Sequence, residues 1–162
     1  MNVTWLIVAC VGDQARADCI SDAAQLYNVN PDILRAIAYY ESHLNPDALN
    51  RDANGTLDIG LMQINSVHLP TLRREGIGLA QLKDPAVNAR VGAALLRNEI
   101  NRYGATWRAV GAYHSLTPSL NYQYAAAVQR VFAERPWLHG CRSVPVPSVA
   151  SDGVDVTSLP RE

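Results

Sequence analysis

Glu41 stands on the apolar stripe of a helix-forming run. Between Pro31 and Ser42, the residues Leu34, Ile37, Ala38 and Glu41 fall at i, i+3, i+4 and i+7, the spacing that turns one helix face toward a core. A carboxyl held on that face loses hydration, which disfavours its charged form and raises its pKa. A carboxylic acid that keeps its proton near neutral pH can serve as a general acid. The competing reading turns Glu41 out to solvent at a helix end, or uses it to cap a neighbouring segment. Its company elsewhere in the chain decides between the two.

Other titratable groups offer less. Asp47 and Asp52 lie in a polar stretch with an Asn54-Gly55 turn signal and read as solvated turn acids; Asp58, two residues before Gly60, holds no obvious position for a second catalytic acid. His43, His68 and His139 are scattered and form no His-Glu-x-x-His pattern, so neither a metal nor another cofactor is expected. Trp107 and Trp137 read as packing residues.

The elements that must carry Glu41 are mainly helical. A first helix covers about Asp18 to Tyr27, with Ile20, Ala23, Ala24 and Tyr27 on one side. Asn30-Pro31 is an N-cap followed by proline at the first helical position, and Asp84-Pro85 repeats that signature. The Glu41 helix ends before Pro46, because a residue preceding proline avoids helical angles. A short loop or small hairpin follows over Asp47 to Asp58. Leu61 to Asn65 reads as a short helical turn, with Ser66 capping a further helix through Arg74. The longest helix spans about Pro85 to Arg102, with Val87, Val91, Ala94, Leu95 and Ile100 on its apolar face and Gly104 as its stop. Thr106 caps a short helix from Trp107 to about His114. A last helix runs from Pro118 to about Glu134, burying Tyr124, Ala127, Val128, Val131 and Phe132.

The chain has 162 residues, enough for one domain with a real core and too few for two ordinary ones. Its net charge is −1 and Lys83 is its single lysine, so no basic track exists for a nucleic acid. Residues 1–17 read as an export signal: Trp5 to Gly12 are apolar, and Ala15-Arg16-Ala17 fits a cleavage site before Asp18. The apolar run is too short to span a bilayer, so no membrane span is expected in the mature form. No Lys or Arg precedes that run, a departure from the usual signal; the alternatives are a buried N-terminal element or a lipoprotein site at Cys10. Cleavage removes Cys10 and leaves Cys19 and Cys141, either a disulfide or two free thiols. A bridge closing so long a loop contributes about 4–5 kcal/mol in the chain-entropy picture. Residues 143–162 are rich in Ser, Val, Pro, Asp and Gly without periodicity, and read as a disordered tail.

Four local sequences follow one another in order: Glu41-Ser42, then Gly60-Leu61-Met62-Gln63-Ile64-Asn65, then Ala112-Tyr113-His114-Ser115, then Tyr124-Ala125-Ala126-Ala127-Val128. Together they resemble the lytic transglycosylases of the soluble-enzyme, goose-lysozyme-like superfamily. The closest likeness is to the small members that accompany type III and type IV secretion systems and type IV pili. The resemblance covers about Asp18 to Phe132. It implies an all-α, lysozyme-like single domain over residues 18–142 with a substrate cleft. It also implies export to the periplasm or beyond, a monomer, peptidoglycan glycan strands as substrate, and secretion-system or pilus components as partners.

Carried over residue by residue, the resemblance makes Glu41 the catalytic acid. Substrate contacts fall to Ser42, Met62, Gln63, Asn65, Tyr113, His114 and Tyr124. His114 departs from the Asn usual after Ala-Tyr, although an imidazole can still donate or accept a hydrogen bond to sugar. Leu116 stands where a glycine is common. Ala86 replaces a cysteine common after the Asp-Pro pair, which fits Cys19 bonding to Cys141.

The implied reaction is cleavage of the β-1,4 link between N-acetylmuramic acid and N-acetylglucosamine, with a 1,6-anhydro product. Most glycosidases use two carboxyls. A transglycosylase needs one, because the sugar's own C6 hydroxyl replaces water and proximity substitutes for a second activating group. Two rivals stand beside it: a hydrolytic goose-type muramidase in which Asp58 orients water, and a peptidoglycan-binding assembly factor with weak or no cleavage.

Overall fold

The computed structural model describes residues 11–138, with side chains from residue 19 onward. Helices α1 (Val11–Leu26) and α2 (Pro31–Ser42) lead into three short strands, β1 (Leu49–Arg51), β2 (Leu57–Ile59) and β3 (Ile64–Asn65). A 3-10 turn at Ser66–His68 then precedes α3 (Leu69–Arg74) and α4 (Leu79–Leu82). The long α5 (Pro85–Tyr103), α6 (Trp107–His114) and α7 (Pro118–Glu134) complete the helical body, with a final 3-10 turn at Pro136–Leu138. Among the described residues, no helix is long and apolar enough to cross a membrane.

Local chemistry explains most boundaries. Asn30 Oδ1 accepts from the backbone N–H groups of Asp32 and Ile33, and Asp84 Oδ1 does the same for Ala86 and Val87. Those bonds satisfy N–H groups that a helix start leaves unpaired. The predicted spans of α2, α6 and α7 coincide with those observed, and α5 runs one residue further, to Tyr103 before Gly104. The first helix differs: its described part runs Val11–Leu26, across the expected cleavage point, because the stretch from Asp13 to Asp18 holds neither glycine nor proline.

The core lies where α1, α2, α5 and α7 meet. Ile20, Leu34, Ile37, Leu96 and Val128 are fully buried there. On α5 the buried stripe is Ala89, Gly92, Ala93 and Leu96, together with Val91. It is rotated from the predicted face, and Leu95 and Ile100 stay only partly covered. Small residues line this stripe because neighbouring elements press closely. At Gly92, a Cβ would lie 2.8 Å from Met62 Cγ and Cε.

The segment after α2 is a three-stranded antiparallel sheet in the order β1-β2-β3, an extended form of the expected hairpin. Asp58 pairs with both Asn50 and Asn65 across the strands. Residues 61–65 are therefore not a helical turn. Gln63 takes a left-handed φ of 49°, and the chain reverses into β3. Long-range pairing overrides a locally helical apolar spacing. Ser66 does not cap the helix that follows either. Asn65 Oδ1 accepts from Val67 N, while Ser66 Oγ accepts from Leu57 N and closes the sheet.

Candidate active site

Helix α2 delivers Glu41 to the mouth of the site. The helix stops two residues later, where His43 adopts a left-handed φ of 54° and its N–H bonds Tyr39 O. Ser42, next to Glu41, donates from Oγ to Leu61 O at 2.7 Å. That bond ties the end of α2 to the turn over residues 60–63. Ser42 is therefore an anchor: it does not line the cleft, contrary to the sugar contact its motif implies.

Tyr124, only 4% exposed on α7, donates from Oη to Glu41 Oε1 at 2.5 Å. Its ring is clamped on several sides. His114 stacks on it at 4.8 Å and 5°, Tyr113 at 6.5 Å and 26°, and Tyr40 meets it edge-on at 5.1 Å. A phenol held this firmly presents its hydroxyl in one place. Tyr113 donates in turn to Met62 O at 2.9 Å. Burial, followed by the charges of Glu41 and other neighbours, pushes both tyrosine hydroxyls well above their ordinary range.

Burial also dominates the titration of Glu41, pushing its carboxyl from 4.5 up to about 7. The Tyr124 hydrogen bond opposes that shift by favouring the charged form, while the negative charge of Asp58 adds to it. The group is thus half protonated near neutral pH, poised to give a proton and to take one back.

Around Glu41 opens a cleft of about 470 Å³. It is lined by Gln63, Asn65, Tyr113 and His114, and the β1–β2 hairpin contributes Asp52 and Thr56 from its loop and Asp58 from β2. Asn65 Nδ2 lies 2.9 Å from Asp58 Oδ1 and 3.1 Å from Asp52 Oδ2, and Thr56 Oγ1 lies 2.7 Å from Asp52 Oδ2. Asp52 is therefore, together with Asp58, a member of a bonded polar wall rather than a solvated turn acid. Partial burial, outweighing its bond from Asn65, raises the Asp58 carboxyl above its usual value. Asp47 lies outside this wall, as expected for an exposed loop acid.

Gln63 is fixed by its own turn, donating from Nε2 to Gly60 O at 2.8 Å and accepting from Asn50 Nδ2 at 2.6 Å. Met62 does not join the wall. Its side chain is 0% exposed and packs against Gly92 of α5, so the expected groove contact is corrected: Met62 serves the site through its backbone. Of the residues singled out from the sequence, Glu41, Gln63, Asn65, Tyr113 and His114 line one cleft, with Tyr124 bonded just behind Glu41.

Cys19 is half-buried on α1, while Cys141 lies outside the described residues, as do Cys10, His139 and residues 143–162. Sequence reading missed Asn88, Tyr40 and the place of Asp52 in the wall. Their partners are far along the chain, and the period of the sequence carries no trace of them.

Comparison with known proteins gives the family and the fold. The family described as "Transglycosylase SLT domain" matches residues 18–128. The chain is 36% identical over 136 residues to invasion protein IagB of Salmonella typhimurium, covering 83% of this chain and 81% of that protein. It is 37% identical over 114 residues to protein IpgF of Shigella flexneri, covering 70% and 75% respectively. The fold matches the crystal structure of an inactive mutant of the lytic transglycosylase Slt from Pseudomonas aeruginosa, with a TM-score of 0.58 at 23% identity. That match covers 76% of this chain and 24% of Slt, so the chain spans about a quarter of that larger protein.

Proposed function

Because the chain belongs to the Transglycosylase SLT domain family and is thereby a peptidoglycan lytic transglycosylase, we propose that Glu41 alone carries both proton transfers of the reaction. In its protonated form Glu41 gives its proton to the oxygen linking N-acetylmuramic acid to N-acetylglucosamine. The C1–O bond breaks as the oxygen leaves with that proton, and positive charge develops at C1 of the muramic acid. The Glu41 carboxylate, held by the Tyr124 hydroxyl, then removes the proton of the same sugar's C6 hydroxyl. The C6 oxygen closes onto C1, giving a 1,6-anhydro end, a free 4-hydroxyl on the departing sugar and a reprotonated Glu41. No water is consumed.

The observation that carries this reading is the Glu41 carboxyl raised to about 7 beside a clamped Tyr124. An acid at its ordinary pKa would be almost wholly ionised at neutral pH and a poor donor. Ring closure by a hydroxyl of the same sugar benefits from proximity, which is worth about 7–11 kcal/mol for well-oriented groups.

One observation favours a second reading. Asp58 lines the same cleft as Glu41, where a hydrolytic muramidase would use it to orient water. Mass spectrometry of muropeptides released by the purified protein decides: the anhydro product lacks one water relative to the hydrolysed one. Glu41→Gln should release neither, while still binding glycan strands. A hydrated reducing end as the main product would overturn the transglycosylase assignment.

The biological setting belongs to the same proposal. Export ahead of Asp18 places the enzyme at the wall, and the family match begins at that residue. Similarity to an invasion protein supports local wall opening for a secretion apparatus, whose components would be its partners. A Cys19–Cys141 disulfide remains part of this proposal; non-reducing mass analysis of the exported protein tests it.

A further inference from the structure

Asn88 is the one polar or charged residue found buried among those described, at 1% exposure. It sits in the first turns of α5, facing the strands. Its Oδ1 accepts from Met62 N at 2.7 Å, and its Nδ2 donates to Ile59 O at 2.8 Å and Leu82 O at 2.9 Å. Every partner is backbone, so one planar amide replaces a stretch of ladder that the turn over residues 60–63 cannot make for itself. Aspartate offers no donors for the two carbonyls, leucine offers nothing, and glutamine is one methylene too long. The opposite wall is equally particular: at Gly60, with φ of 73°, a Cβ would lie 2.6 Å from Asn88 Nδ2.

The turn that Asn88 grips is the junction of the catalytic elements. Leu61 O accepts from Ser42, the residue after Glu41. Met62 O accepts from Tyr113, whose ring stacks on the Tyr124 that donates to Glu41. We propose that Asn88 is a positioning residue: by fixing the Leu61–Met62 peptide from α5, it sets how Glu41, Tyr113 and Tyr124 meet. It touches no substrate. This inference rests on Glu41 being the catalytic acid, but it concerns the carboxyl's surroundings and can be read without any turnover.

Asn88→Ser replaces the amide's acceptor and two donors by one shorter hydroxyl, which cannot reach all three backbone partners, while leaving the helix intact. The experiment measures kcat and KM on peptidoglycan strands across pH, together with the Glu41 carboxyl titration by 13C NMR in the absence of substrate. The proposal expects kcat to fall at least tenfold per folded molecule, with KM changed less than twofold. It also expects the Glu41 midpoint to drop from about 7 as water reaches the carboxyl. A purely structural Asn88 would lower the melting temperature and leave both the kcat of folded protein and the midpoint unchanged, which overturns the proposal.

Should Asn88→Ser fail to fold, Gly92→Ala tests the same link from the other side. A Cβ there pushes on the Met62 side chain without removing a hydrogen bond, and the same loss of kcat and the same fall in midpoint are expected. An unshifted midpoint in that variant overturns the proposal as well. The two readings fail separately. Wild type that titrates near 7 yet releases no glycan product contradicts the assigned reaction, while the variants still report on Asn88.

Discussion

The hydroxyl of Tyr124 lies 2.5 Å from Oε1 of Glu41, joining residues 83 apart in sequence on α2 and α7. This contact opposes the burial that raises the Glu41 carboxyl, because a donated hydrogen bond favours the ionised form. The site thus combines a dry environment that keeps the proton on with one donor that stabilises the anion when the proton leaves. Both are needed if one carboxyl is to serve first as acid and then as base.

Tyr124→Phe removes that donor and leaves the ring clamp in place. The Glu41 carboxyl should titrate higher than about 7, so the alkaline limb of kcat/KM moves to higher pH. The anion formed after the first proton transfer loses a bond worth about 1.5–3 kcal/mol. That corresponds to a fall in kcat of roughly ten- to a hundredfold. A pH–rate profile of the variant beside wild type measures both effects; an unchanged limb would show that the hydroxyl does not act on Glu41.

Asp58→Asn tests the neighbouring charge. The negative charge of Asp58 helps raise Glu41, so its removal should shift the alkaline limb of activity slightly downward. The anhydro product should remain dominant, because the C6 hydroxyl needs no water-orienting acid. A variant whose products change in kind would give Asp58 the role of a base.

Stability should record the same carboxyl with a definite sign. Between about pH 4.5 and 7, the folded protein keeps the Glu41 proton while the unfolded chain has released it. Folding therefore binds a proton in that window, and stability falls as pH rises through it. The shift from 4.5 to about 7 sets a ceiling of about 3 kcal/mol on this loss. Glu41→Gln carries no such penalty and should melt higher than wild type at pH 8, with the gap closing toward pH 4.5. Melting curves at both pH values check it, and a variant less stable than wild type at pH 8 would contradict the burial argument.

The helices were legible because their signals are local. Asn30-Pro31, Asp84-Pro85, Thr106 and Pro118 announce starts within one or two residues, and the stripe ending in Glu41 announces its face. The turn over residues 60–63 was not legible. Leu61, Met62 and Ile64 have a helix-like spacing, yet the backbone of Leu61 and Met62 is claimed by Ser42, Asn88 and Tyr113 from three helices, and Ile64 pairs in β3. Met62 shows the same limit at the level of the site. Motif position put its side chain in the groove, but the absence of a Cβ at Gly92 gives it a place in the core. Asp52 read as a solvated turn acid because Asn65, which bonds both it and Asp58, is brought to them only by the β2–β3 pairing.

The most direct measurement is a 13C NMR titration of the Glu41 carboxyl in the free protein, with its signal assigned by its loss in Glu41→Gln. A midpoint near 7 is the result this account predicts. A midpoint at the ordinary value of 4.5 would mean that the carboxyl is wet and ionised at neutral pH, and would contradict the single-acid mechanism.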